Sequence, residues 1–176
     1  MTLTTVTADR KQIENILGQT SELSRRPLSL EEFLEKNMEV PRHLRTVEEF
    51  ASLVERLELS QRFLQKHILF KSDRYYWQPI LENPDIEILV CCWLPGQSSG
   101  IHLHKGTALN ATKVLMGGIV QEYYEPDESA LLVRRSAEEV SVGNVTWVDR
   151  YQFHQLVNQS AENCVTLHFY SPARQD

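Results

Sequence analysis

Residues 100–106 read Gly-Ile-His-Leu-His-Lys-Gly, so His102 and His104 stand two positions apart behind the turn-like stretch "LPGQSSG". On a strand, side chains at i and i+2 point to one face. The pair therefore either converges on a metal ion or stands on a solvated face. Imidazole is the commonest metal-ligating side chain, but two ligands do not make a site. A third must come from elsewhere, and the remaining histidines are His43, His67, His154 and His168. His43 and His67 fall in a helix-patterned region and are expected at the surface. A second constellation is Thr166-x-His168-x-Tyr170 in "VTLHFYSP". On a strand these three also share a face. A hydroxyl and two polar rings turned into a core cost several kcal/mol, roughly, unless they bond to each other, to water or to a ligand.

The elements that must position these residues change character near residue 70. Before it the pattern is helical. Ser29-Leu30-Glu31-Glu32 and Thr46-Val47-Glu48-Glu49 both have the capping-box form. Phe50, Leu53, Val54 and Leu57 follow the second box at helical spacing. A short helix is expected over 60–66 and a further one around 11–17, with Pro27 and Pro41 as breaks. After residue 70 come nine short strand-like runs separated by turn residues: "RYYWQPIL", "IEILVCCW", "GIHLH", "ATKVLMGG", "IVQEYYE", "ALLVRRS", "VTWVD", "FHQLVNQ" and "CVTLHFYS". Strands at that spacing with no helix between them predict a mainly β barrel or sandwich. The expectation is one domain over 1–176, with a helical part (1–70) packed outside a β-barrel (71–176).

Composition excludes several classes of function. The formal net charge is −6 and no basic block is present, so nucleic acid is not an expected partner. No run approaches the roughly 18 apolar residues of a membrane span. The N-terminus lacks the charged and apolar regions of a signal peptide, which leads us to expect a cytoplasmic protein. Cys91, Cys92 and Cys164 lie in apolar strand-like runs and show no CxxC spacing, so they are expected as small buried residues.

The spacing Gly96, five residues, His102-x-His104, with Gly117 downstream, resembles the first motif of the cupin family. His154, three residues, Asn158, with Gly143 upstream, resembles the second, although Asp149 and Tyr151 replace the usual proline and glycine. The resemblance implies a double-stranded β-helix, jelly-roll-like, and a metal held by His102, His104 and His154. The glutamate that usually follows H-x-H is absent from "KGTALNAT". The implied site is three neutral imidazoles, unlike the two-histidine, one-carboxylate triad of many non-haem iron oxygenases.

Three-histidine cupins of this layout resemble the thiol dioxygenases, the cysteine dioxygenase group above all. "CWLPGQSSGIHLH", "KVLMGG", "FHQLVN" and "VTLHFYSP" carry the likeness, from about Arg74 to Pro172. In that family a Ser-x-His-x-Tyr-Ser-Pro strand borders the iron, and Thr166, His168 and Tyr170 would form the corresponding relay. The resemblance implies Fe(II) as cofactor and oxidation of a small thiol by O2 to its sulfinic acid. L-Cysteine is the expected substrate, with 3-mercaptopropionate or another small thiol as the alternative, and a non-catalytic metal-binding cupin as the rival class. Tyr170 would also contact substrate. Some family members cross-link this tyrosine to a cysteine just before H-x-H. The position nearest that cysteine falls at Gly96-Gln97-Ser98, so Tyr170 is expected unmodified. The cysteine enzyme clamps the substrate carboxylate with an arginine on an early strand. Here that region offers Arg74, or Gln78 as in the 3-mercaptopropionate subgroup, as the expected substrate-binding residue.

Overall fold

The computed structural model describes residues 26–174. The helix expected around 11–17 lies outside them. Three helices come first: α1 (Leu30–Glu39), α2 (Val47–Arg56) and α3 (Gln61–Gln65), with a 3-10 turn at Arg42–Leu44. Both capping boxes form. Ser29 Oγ accepts from Glu32 N at 3.2 Å, and Thr46 Oγ1 accepts from Glu49 N at 3.2 Å, while each glutamate accepts the N–H of its cap. Ser60 caps α3. Among the described residues no helix is long and apolar enough to cross a membrane.

Eight strands follow: β1 (Tyr76–Asn83), β2 (Ile86–Trp93), β3 (Leu109–Met116), β4 (Gly118–Pro126), β5 (Leu132–Ser141), β6 (Val145–Thr146), β7 (Phe153–Val157) and β8 (Cys164–Ser171). They form two antiparallel sheets, ordered β1-β2-β8-β3-β6 and β5-β4-β7. The expected "GIHLH" strand is not a strand. Gly96 and Gly100 have φ of 80° and 74°, a left-handed backbone that turns the chain instead of extending it. One narrow pair remains: His102 N donates to His154 O and His154 N to His102 O, both at 2.9 Å. "VTWVD" likewise shrinks to the two residues of β6.

Strands β2 and β8 are buried along their whole length on both faces. Ile88, Val90 and Cys92 join Val165, Leu167 and Phe169 against the helices, where Phe33, Phe50 and Val54 pack. The alternate residues Leu89, Cys91, Trp93, Cys164 and Tyr170 turn inward and meet Val114, Ile119, Val140 and Leu156 from both sheets. All three cysteines are buried and free, as expected. Two contacts of the helical layer with the sheet stand out. The Phe33 ring lies 5.6 Å from that of Phe169, and Lys113 Nζ on β3 donates to the carbonyls of Glu55 and Leu57 at 2.7 and 2.8 Å. Those carbonyls end α2 and have no helical partner of their own, so the lysine satisfies them.

Phe33 is fully buried against the outer face of β8. Phe33→Ala is therefore expected to destabilise the fold by about 3–5 kcal/mol. The shift in the urea unfolding midpoint measures it, and a loss below about 1 kcal/mol would mean that the helices are a loose cover and not part of the core.

Candidate metal centre

The inner face of β8 carries Thr166, His168 and Tyr170, with β2 and β3 on either side. Opposite them stand Cys91, Leu89 and Glu87 on β2, and Val114, Thr112 and Asn110 on β3. His154 comes from β7 in the other sheet, and His102 and His104 from the glycine turn paired with it. The turn is anchored by Asn158. This residue is fully buried and donates from Nδ2 to the carbonyls of Trp93 and Glu162 at 3.2 and 2.8 Å. Its backbone exchanges hydrogen bonds with Gln97 and Gly96. Gly117, the glycine closing the first motif, sits between β3 and β4 with φ 71°. A Cβ there would lie 2.5 Å from the carbonyl oxygen of Asn163, so no larger residue fits.

These elements bring His102, His104 and His154 together. One nitrogen from each lies within 4.8 Å of the others, and His104 Nε2 is 2.9 Å from His154 Nε2. A divalent ion takes imidazole nitrogen at about 2.1 Å, which puts adjacent ligands about 3 Å apart, and the His104–His154 pair already has that spacing. His102 Nδ1–H donates to the carbonyl of Gly100 at 2.9 Å, which leaves its Nε2 lone pair for a ligand. His154 Nδ1 is buried and no protein group satisfies it. Burial, then the neighbouring rings, depresses the pKa of His104 to about 3 and of His154 to about 2. Burial also lowers that of His102. The three are neutral at physiological pH and ready to bind a cation without first losing protons. The donor set and its spacing fit a metal ion.

Beside them runs a buried chain of hydrogen bonds. Trp93 Nε1 donates to Thr166 Oγ1 at 2.9 Å, Thr166 Oγ1 lies 2.9 Å from His168 Nε2, and His168 Nδ1 lies 3.3 Å from the Tyr170 hydroxyl and 3.4 Å from Thr112 Oγ1. An indole nitrogen can only donate, so Thr166 Oγ1 accepts the Trp93 N–H. The two ring nitrogens of His168 then bridge the Thr166 and Tyr170 hydroxyls. Burial holds the His168 pKa down to about 3 and pushes that of Tyr170 well up, so both stay neutral. The Tyr170 ring centroid is 5.2 Å from that of His104, which joins the two constellations.

The three histidines and Trp93, His168 and Tyr170 of the chain line one cavity of about 210 Å³, together with Tyr75, Trp77, Leu89, Cys91, Asn110 and Leu156. The two expected substrate-binding residues of β1 and its approach lie outside it. The Arg74 side chain is 78% exposed and pairs weakly with Asp73, because it precedes β1 on a solvated turn. Gln78 Nε2 donates to the His67 carbonyl at 2.7 Å, tying β1 to the end of α3. His67 itself is half-buried against Phe63, and His43 is exposed. The cation that does line the cavity is Arg174, just past β8, which sequence reasoning passes over. Its one signal is position, four residues beyond Tyr170 in "YSPAR".

A two-sheet antiparallel barrel whose inner face converges three histidines on one point is a cupin with a candidate metal centre. The sequence matches the family described as cysteine dioxygenase type I over residues 21–176, and the chain belongs to that family, whose chemistry is thiol dioxygenation. Solved structures agree on the fold. The TT1209 protein from Thermus thermophilus superposes with a TM-score of 0.53 at 18% identity, covering 62% of this chain and 93% of its own. A double-stranded β-helix protein from Klebsiella pneumoniae gives 0.51 at 17%, covering 62% and 81%. BH2720 from Bacillus halodurans gives 0.51 at 13%, covering 68% and 83%. No curated protein matches the sequence.

The buried histidines set a pH dependence. Unfolded, each titrates near 6.5, whereas His104, His154 and His168 titrate near 3, 2 and 3 in the fold. Between pH 6.5 and about 3 the unfolded chain binds the extra protons, so stability falls as pH falls. Urea midpoints of metal-free protein across that window are expected to drop more steeply than those of His154→Gln. Equal slopes would show that these rings are not desolvated.

Proposed function

We propose that the protein is a thiol dioxygenase that uses Fe(II), held by His102, His104 and His154, and O2 to oxidise a small thiol, L-cysteine first, to its sulfinic acid. The observation that carries this reading is the hydrogen-bonded chain Trp93–Thr166–His168–Tyr170 ending beside the three imidazoles. A cupin that only stored a metal would not need a hydroxyl held at that point by three buried partners.

Fe(II), when bound, supplies a Lewis-acidic centre that favours the thiolate and an electron source for O2. The remaining work belongs to the protein. Three neutral ligands leave the ion its full positive charge, which suits an anionic sulfur. Leu89, Cys91 and Leu156 keep the sulfur end of the cavity apolar. Tyr170, neutral at all physiological pH values, offers its hydroxyl proton to the substrate or to oxygen as charge builds there. His168, Thr166 and Trp93 hold that hydroxyl in place. The substrate carboxylate falls to a cavity residue other than Arg74 or Gln78.

The direct test is O2 consumption by iron-loaded protein offered L-cysteine and 3-mercaptopropionate separately. Uptake with formation of a sulfinate, abolished in His104→Ala, is the expected result. Uptake with 3-mercaptopropionate alone would keep the chemistry and change the substrate, and uptake with neither would overturn the reading. Thr166→Val keeps the shape of the side chain but breaks the chain at its hydroxyl. It is expected to lower kcat by about 10–100-fold with iron content unchanged. A variant with normal turnover would remove the relay from the mechanism.

A further inference from the structure

Strand β5 is the outer strand of the sheet β5-β4-β7, and among the described residues no strand pairs with its second edge. Nine of its ten residues are exposed, so no helix or loop closes over it. An open edge of that length offers unpaired N–H and C=O groups to another extended chain. Residues 131–142 read Leu-Leu-Val-Arg-Arg-Ser-Ala-Glu-Glu-Val-Ser-Val. The two halves mirror each other about Ser136 and Ala137, with apolar ends, arginines on one side and glutamates on the other. Charged side chains on an edge ordinarily blunt it against pairing. Their order here favours one partner, the same strand turned end to end. An antiparallel copy meets Arg134 and Arg135 with Glu138 and Glu139, and does so twice. It also brings Leu131 toward Val142, apolar residues that are 66% and 57% exposed. A parallel copy would set arginine on arginine and glutamate on glutamate, which is destabilising.

The surroundings of the edge follow the same charge logic. Beside the C-terminal half of β5 lies an open groove of about 400 Å³ between β5, β6 and α2. Glu48, Glu55, Glu138 and Glu139 line it, with the half-buried Trp147, and among the described residues no lysine or arginine does. Arginine suits such a groove, because its planar fork bonds carboxylates and stacks on an indole. Arg134 and Arg135 already pair on their own chain with Glu122 and Glu125, at 2.6 and 3.3 Å. Their side chains remain 57% and 50% exposed, and each guanidinium has further donors for a second carboxylate.

We propose that β5 is a self-association edge, on which two copies of this chain pair antiparallel about a two-fold axis beside Ser136 and Ala137. The arginines of each copy face the glutamates of the other. Such a contact uses the same patch on both copies, so it closes at two. It joins the two three-stranded sheets into one continuous sheet through β5. His154 lies on β7, the strand farthest from that seam, so each metal centre remains built by its own chain. The contact therefore stands apart from the thiol dioxygenase reading.

Sedimentation velocity of the full chain over roughly 1–200 µM tests it. The expected result is a dimer that dissociates further as salt rises, because its ion pairs lie near the surface. Arg135→Glu alone and Glu139→Arg alone should each weaken association by about tenfold or more. An equimolar mixture of the two variants should recover it as a mixed dimer, since each supplies the charge the other lacks. Both positions are exposed, so each variant should keep the wild-type urea midpoint within about 1 kcal/mol of stability. Wild-type protein that stays monomeric throughout would overturn the proposal. A dimer that neither variant weakens, or that the mixture does not recover, would place the contact elsewhere and overturn it as well.

Discussion

Strand β8 is buried on both faces, and the site follows from that constraint. A strand has two faces and a period of two, so its outer residues Val165, Leu167 and Phe169 must be apolar to seat the helices. The inner residues Thr166, His168 and Tyr170 are then carried into the barrel, where they are buried and largely out of reach of bulk water. Polar groups there persist only if each finds a partner. The chain from Trp93 to Tyr170 is that set of partners. One strand thus anchors the helical layer and orients the tyrosine. Disturbing the outer packing disturbs the inner geometry.

The other half of the site comes from irregular backbone. His102 and His104 lie on a turn, not a strand, held by two backbone hydrogen bonds between His102 and His154 and, at the start of the loop, by the backbone bonds of Asn158 to Gly96 and Gln97. This explains why glycines at 96 and 100 and an asparagine at 158 accompany the histidines. The glycines supply positive φ, and the asparagine ties the strand carrying His154 to the loop that carries the other two rings. Motif residues that touch no ligand hold those that do.

The electrostatics of the cavity are simple. Its histidines and tyrosines are neutral by desolvation, and its permanent charge is Arg174, matched by a glutamate set behind it. A cation bound by the three imidazoles would meet no protein anion in the cavity wall. It would favour an anionic ligand from solution, which is what the lack of a carboxylate after H-x-H suggests.

Much of this is legible in the sequence. The two capping boxes, strands β2 and β8 to the residue and the T-x-H-x-Y face depend on local periodicity, which any chain with these residues expresses before it folds, and the three-histidine set is implied by the resemblance to the cupin motifs. The "GIHLH" segment is misread as a strand because alternation alone does not register the glycine torsions on its N-terminal side. Arg74 and Gln78 stand out because the one lies just before β1 and the other early on it. Neither the exposure of the one nor the bond of the other to the end of α3 leaves a local trace. Arg174 is invisible for the same reason. Its place in the cavity depends on Glu87, 87 residues away, meeting Tyr170 across two paired strands. The sequence by itself determined which elements form and which residue types share a face, because those follow from backbone period. Only the tertiary structure decided which charge enters the cavity, because that is set by the register between strands distant in the chain.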